Sequence, residues 1–182
     1  MMKRIFLDTN VLIDLICCRK PFVQVAERIF VMGDMKKISI GISALSYINT
    51  VYIARKYNFS VPEVIESLKK IASFVSITDL SESVIKQAMD CGWKDFEDAA
   101  QYHSSLSFSP DYIITRNPKD FAKSTVPVYA PAEFLQILYG LDESDNMLLN
   151  EPEVEYQSNK RGNDILLDTI CHSDDRREEE SR

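Results

Sequence analysis

Apolar positions along this chain come in short runs and helical stripes that alternate with one another. Ile5-Phe6-Leu7 predicts a buried strand. The chain then places Asp8, followed by Thr9 and Asn10, both good helix-capping types, and Val11 to Ile16 predict the first turns of a helix. Arg19-Lys20-Pro21-Phe22 breaks that pattern. Val25, Ile29 and Met32 then share one face of a helix running from about Val23 to Met35, and Lys36-Lys37 suits its negative end. Ile38 to Ile42 alternates like a strand, and Ser43 caps a helix from Ala44 to about Lys56. Leu45, Ile48 and Tyr52 recur on that helix at helical spacing, with Asn49 one turn in. Ser60-Val-Pro-Glu63 has the capping-box spacing and opens a helix to about Ser73, and Phe74 to Ile77 is a short strand. Further helices begin at Ser81 and Lys94, a strand spans Asp111 to Thr115, and Arg116 to Phe121 turns out of it. Val126 to Tyr129 ends the series of strands, at an edge because Pro127 has no N–H for a ladder. Pro131 opens a last helix, which Gly140 stops.

Strand and helix alternate throughout, which predicts an α/β fold with a parallel sheet covered on both faces. Past residue 140 the apolar periodicity fades. Residues 1–140 carry 16 Lys+Arg against 15 Asp+Glu, whereas residues 141–182 carry 5 against 13. The first segment is therefore read as the folded domain and the second as an acidic, mobile tail with a possible short element near residues 164–170. The excess acid lies outside the domain, so a polyanionic partner for the domain is compatible with its charge. No apolar run reaches the roughly 20 residues that span a bilayer, and the N-terminus lacks a signal-peptide pattern, so a cytoplasmic protein with no membrane association is expected. Cys17, Cys18, Cys91 and Cys171 form no Cys-x-x-Cys pair, and His103 and His172 complete no zinc spacing. Free thiols are expected.

The candidate chemistry is carboxylate chemistry. In an open parallel sheet, ligands bind beyond the carboxyl ends of the strands. Asp8 stands there after the first strand, Asp120 follows the Ile113-Ile114 strand, and Asp95 and Asp98 open the helix that leads into that strand. Asp95 and Asp98 are three apart and share a helix face, with Glu97 pointing away from it. Asp8 could alternatively be a plain helix cap, as could Asp95 and Asp98. Acids gathered at one sheet edge repel and stay ionised only if a cation offsets them. Oxygen ligands with little His or Cys indicate Mg2+ or Mn2+, and such an ion in an acid cleft suits phosphodiester hydrolysis. The chain has no glycine-rich phosphate loop and no Ser/His or Cys/His nucleophile pattern. Arg116 and Lys119, beside Asp120, are candidate RNA-phosphate contacts, with Lys94, Arg55 and Lys56 behind them. Tyr47, Tyr52 and Tyr102 could stack bases, although aromatics at helical spacing usually belong to a core or a subunit interface.

Ile5-Phe-Leu-Asp-Thr-Asn-Val-Leu-Ile13, the Glu97-Asp-Ala-Ala-Gln101 helix and Ile114-Thr-Arg-Asn-Pro-Lys-Asp-Phe121, in that order, resemble the PIN-domain family, many of whose bacterial members are the VapC-like toxin nucleases of toxin–antitoxin pairs. The resemblance covers about residues 3–139. It implies a three-layer sandwich with a five-stranded parallel sheet between helices, and Mg2+- or Mn2+-dependent cleavage of single-stranded RNA. By position it makes Asp8, Asp98 and Asp120 the catalytic, metal-binding acids, and Thr9 and Asn117 supporting polar residues. Asn10 is counted with that support. The family usually carries a Glu on the helix after the second strand. Here Asn49 stands at about that place and brings no charge, so Asp95 or Glu97 would make up the count of metal ligands and supports. The partners implied are an antitoxin protein lying across the acidic cleft and a second copy of the chain in a homodimer. The alternative reading is a PIN-like module that binds RNA or protein without efficient cutting. A phosphatase with a nucleophilic aspartate is disfavoured, because that class needs a second acid where Asn10 stands.

Overall fold

A computed structural model describes residues 2–140. The acidic segment 141–182, including the element expected near 164–170 and Cys171, lies outside the described residues. Strand β1 (Lys3–Leu7) leads into α1 (Thr9–Ile16) and α2 (Val23–Asp34), and β2 (Ile38–Ser43) into α3 (Ala44–Ala54) and α4 (Val61–Ala72). Strand β3 (Ser76–Thr78) is followed by α5 (Glu82–Asp90) and α6 (Phe96–Leu106), then β4 (Tyr112–Ile114), β5 (Val128–Tyr129) and α7 (Pro131–Tyr139). These strands form one parallel sheet in the order β3-β2-β1-β4-β5.

The strand order follows from hydrophobicity. β1 is in the middle, where both faces are covered, and its Ile5, Phe6 and Leu7 have no exposed surface. Side chains alternate across a strand. Ile5 and Leu7 join Ile40, Ile42 and Ile114 in the core under α1, α2, α4 and α7. Phe6 points the other way, with Ile113, Tyr102 of α6 and Phe121. Each fully buried side chain of this size contributes about 1.5–3 kcal/mol relative to exposure. Gly41 is required on the Phe6 face, because a Cβ there would come within 2.7 Å of the Phe108 ring. β5 is at the edge, as Pro127 predicts.

The helix caps match their sequence signals. Ser43 and Ser81 accept backbone N–H groups of α3 and α5, and Ser60 and Glu63 form a reciprocal capping box on α4. Gly140 takes the left-handed conformation at the end of α7. The Ile48/Tyr52 stripe of α3 faces outward, at 66% and 62% exposure. Its neighbours Ser46, Thr50 and Ala54 are the buried positions of that helix, so the spacing is helical but the apolar stripe is not the core face. Cys17, Cys18 and Cys91 are free thiols. Among the described residues, no helix is long and apolar enough to cross a membrane.

Candidate active site

The chain builds outward from β1 to β2 and β3, then crosses back to place β4 on the other side of β1. The carboxyl ends of β1 and β4 therefore flank the point where the strand order reverses, which is where open α/β sheets bind ligands. Register fixes the details. Leu7 pairs with Ile114, so the next residues, Asp8 and Thr115, emerge side by side. The Asp8 N–H donates to the Ile114 carbonyl at 3.0 Å. The Thr115 hydroxyl donates to Asp8 Oδ2 at 2.7 Å.

Asp8 occupies the cap position of α1, yet its side chain makes no capping hydrogen bond to that helix. Its partners are side chains. Gln101 Nε2 donates to Oδ1 at 2.8 Å, and the Asn10 amide joins Thr115 at Oδ2. Gln101 is itself buried and held, since its Oε1 accepts the Thr9 N–H at 3.2 Å and the Ser46 hydroxyl at 3.1 Å. The side chain of Asp8 is thus aimed into the mouth and held there. Burial raises its pKa, which the hydrogen bonds from Thr115 and Gln101 partly offset and the charge of Glu97 adds to.

α6 supplies the facing acids. Asp95 caps it, accepting the N–H groups of Glu97 and Asp98 at 2.7 and 3.2 Å. One oxygen of this candidate metal ligand is therefore committed to the helix. Glu97 lies one turn before Gln101 and meets it at 3.4 Å, along with the Thr9 hydroxyl at 3.4 Å and Asn49 Nδ2 at 2.7 Å. The helix periodicity that would turn Glu97 away does not do so, because Thr9 and Asn49 reach across to it. Asn49 serves as a tether for Glu97. Half-buried Asp98 is pushed up to about 7, first by burial and then by the charges of Asp8, Asp95, Asp120 and Glu97. The five acids thus share one electrostatic neighbourhood. Asp120 is exposed on the 3-10 turn Pro118–Phe121 after β4, held by its N–H to the Asn117 carbonyl at 3.0 Å. Among the described residues, no lysine or arginine forms an ion pair with Asp8, Asp98 or Asp120.

The structure gives the surroundings of two further candidates. Arg116 does not stand free beside Asp120. Its guanidinium Nε lies 3.1 Å from Asp14 Oδ2 and the group sits over the Phe22 ring at 4.4 Å. Lys119 is exposed and remains the candidate phosphate contact on that turn. Tyr102 is buried, stacked on Trp93 at 5.0 Å between ring centres, with its hydroxyl on Thr125. It is core and cannot take a base. Tyr47 is packed at the edge of the larger core, and only Tyr52 is well exposed. Sequence reasoning assigned no role to Gln101, Thr115 or Ser46, which hold Asp8 and its neighbours, nor to Asp14. The i, i+4 spacing of Glu97 and Gln101 is the one signal that could have drawn attention to the glutamine.

The donor set suits a hard divalent cation: five carboxylates, no thiol or imidazole, and a proton affinity at Asp98 that a cation would relieve. Among the described residues, no three Asp, Glu, His or Cys side chains are already grouped to hold a metal ion.

Residues 4–119 match the sequence model of a family described as PIN domain. No curated protein matches the chain. Solved structures do. VapBC2 from Rickettsia felis, bound to a DNA fragment from its promoter, matches with a TM-score of 0.51 and 14% identity over 70% of this chain and 98% of that one. FitAB bound to an IR36 DNA fragment matches with a TM-score of 0.51 and 19% identity over 70% and 94%. FitAcB from Neisseria gonorrhoeae matches with a TM-score of 0.50 and 17% identity over 70% and 97%. At these identities the likeness is one of fold.

Proposed function

This chain belongs to the PIN-domain family, and on that premise we propose that it is a metal-dependent endoribonuclease cutting single-stranded RNA, the toxin of a type II toxin–antitoxin pair in the cytoplasm. PIN domains are generally nucleases, and VapBC2, solved bound to a fragment of its promoter, has the same fold. The observation that carries the reading is Asp8. It is a buried carboxylate held by neutral donors, makes no capping hydrogen bond to its helix, and among the described residues has no lysine or arginine partner beside four other acids.

Asp8, Asp98 and Asp120 would hold Mg2+ or Mn2+, with Glu97 and Asp95 beside them. When bound, the ion supplies a lowered pKa for water and offsets charge building on the phosphate. The chain's own part is positional. Gln101 and Thr115 fix the direction of the Asp8 carboxylate, and Asn49 and Thr9 fix Glu97. Asn117 opens the turn that carries Asp120, and Lys119 on that turn meets substrate phosphates. An antitoxin with a basic side chain for the acid mouth is the protein partner, and a second copy of the chain completes the toxin.

One observation favours a second reading, a module that binds RNA or protein without cutting. α3 contributes no acid, and its Asn49 occupies a Glu97 oxygen. Purified protein incubated with mixed single-stranded RNA in Mn2+, in Mg2+ and in EDTA, beside Asp8→Asn, decides between them. Cleavage that needs metal and disappears in Asp8→Asn is the expected result. RNA bound but uncut by the wild type would leave the binding module. Cleavage that survives both EDTA and Asp8→Asn would remove the acid mouth from the reaction altogether.

A further inference from the structure

We propose that Asp14 and Arg116 form a clamp that sets the position of the turn carrying Asp120 relative to Asp8, so that Asp14 is a positioning residue of the reaction and Arg116 is not a phosphate contact. This deepens the nuclease reading and rests on it.

Asp14 sits on α1, well past the mouth, with 1% of its surface exposed. A buried carboxylate needs partners. Asp14 has two, Arg116 Nε at 3.1 Å and Arg19 Nη1 at 3.5 Å. Both are ionic contacts without the alignment of a hydrogen bond, since Asp14 Oδ1 and Arg116 Nε have no hydrogen-bond partner. The Arg116 guanidinium also sits over the Phe22 ring, with Cζ 4.4 Å from its centre. A guanidinium that meets both a carboxylate and a ring has its charge already engaged.

What the clamp holds is the exit of β4. The Arg116 N–H donates to Asn10 Oδ1 at 3.2 Å, and the same Asn10 donates its amide to Asp8 and, at 3.0 Å, to Thr115. The Asn117 N–H returns to Thr115 at 3.1 Å, and Asn117 opens the 3-10 turn that carries Asp120. The first residue of this segment is thus fixed twice, through its side chain to α1 and through its backbone to the residue that orients Asp8. Loosening the side-chain tie leaves the Asp8 hydrogen bonds in place and frees the Asp120 side of the mouth.

The two roles for Arg116 leave different kinetic marks. Removing a cation that touches substrate phosphate raises KM and lowers the log–log salt slope by about one. Removing a group that only positions another lowers kcat, because a displacement on the order of 1 Å costs up to about a hundredfold. The test compares wild type, Asp14→Asn, Arg116→Ala and the double variant on single-stranded RNA in Mn2+ over a range of salt, with Mn2+ affinity measured separately by calorimetry. Expected are a kcat loss of about 10- to 100-fold in each single variant, unchanged KM and salt slope, and a double variant no worse than either single one. Mn2+ affinity should fall about tenfold or more in parallel, as for other groups that support metal ligands. If Asp14→Asn kinetics match wild type while Arg116→Ala raises KM and flattens the salt slope, the clamp is wrong. Should Asp14→Asn not fold, Arg116→Ala alone gives the same choice between a kcat loss and a KM rise. If wild type binds Mn2+ but cuts no RNA, the nuclease reading fails while the clamp is still judged on Mn2+ affinity. Affinity unchanged in Asp14→Asn and Arg116→Ala would then sink the clamp as well.

Discussion

The two ends of α1 handle a buried carboxylate in opposite ways. At its N-terminus, Asp8 meets only neutral donors and other acids. Six residues on, Asp14 is met by two arginines. Burial raises both pKa values, and at Asp14 the charges of Arg116 and Arg19 pull the rise back to about 6. A protein that could supply cations to Asp14 and supplies none to Asp8 leaves the first site balanced from within and the second to be balanced from outside. A buried ion pair supplied from within holds structure in place. A carboxylate left unbalanced recruits a ligand.

The sharpest break of this contrast is Asp8→Asn. RNA cleavage should fall at least about a thousandfold, the scale of a lost Lewis acid. Mn2+ at a hundredfold excess over its dissociation constant should stabilise wild type by about 2.7 kcal/mol in a thermal melt and leave Asp8→Asn unmoved. Equal stabilisation of both would place any metal elsewhere.

The contrast was only half legible in the sequence. Asp8 was readable because a single acid ends an apolar run and starts a helix. The alternation of strands and helices, and the edge position of β5, followed from short apolar runs and Pro127. The partners of Asp8 were not readable, because Thr115 reaches it only through the pairing of Leu7 with Ile114, and Gln101 only through the packing of α6 beside the carboxyl end of β1. Arg116 read as a substrate contact because its neighbour in sequence is the Asp120 turn, while the acid that claims it comes from α1. Likewise the period of α3 was legible and its direction was not. Spacing defines a stripe such as Ile48/Tyr52 but not the side on which the sheet lies.

Next in size, Arg116→Ala should attack the balanced end alone. With its larger compensating charge gone, Asp14 becomes harder to ionise, and stability at pH 8 should drop by about 1–3 kcal/mol, below the full value for a buried pair because Arg19 remains. The deficit should shrink below about pH 6, where Asp14 holds its proton. Denaturant melts at the two pH values check this, and a deficit independent of pH would mean that the arginine acts by packing on Phe22 alone.

Metal-free wild type sharpens the contrast through pH. Asp14 and Asp98 rise from 3.8 to about 6 and about 7, so the folded chain holds protons that the unfolded chain has released. The stability these two groups contribute should therefore be fully present below about pH 4 and should fall as pH rises to about 7. Saturating Mn2+ should flatten the part that belongs to Asp98 and leave the part that belongs to Asp14. A metal-free profile that is flat from pH 5 to 7 would contradict the electrostatics of the mouth. The smallest effect is expected at its rim. Lys119→Ala should raise KM about two- to fivefold and lower the salt slope by about one, with kcat unchanged.

The sheet also sets a timetable. The strand that carries Asp8 is made first, and the Thr115 that steadies it lies 107 positions later. At the usual 5–20 residues per second of synthesis, about 5–20 s pass between them. Until β4 leaves the ribosome, the central strand lacks one of its two neighbours and the mouth lacks a wall. On the nuclease reading proposed above, a nascent chain is therefore inactive until that strand is in place, and a chain broken off before Ile114 carries Asp8 without the neighbours that orient it.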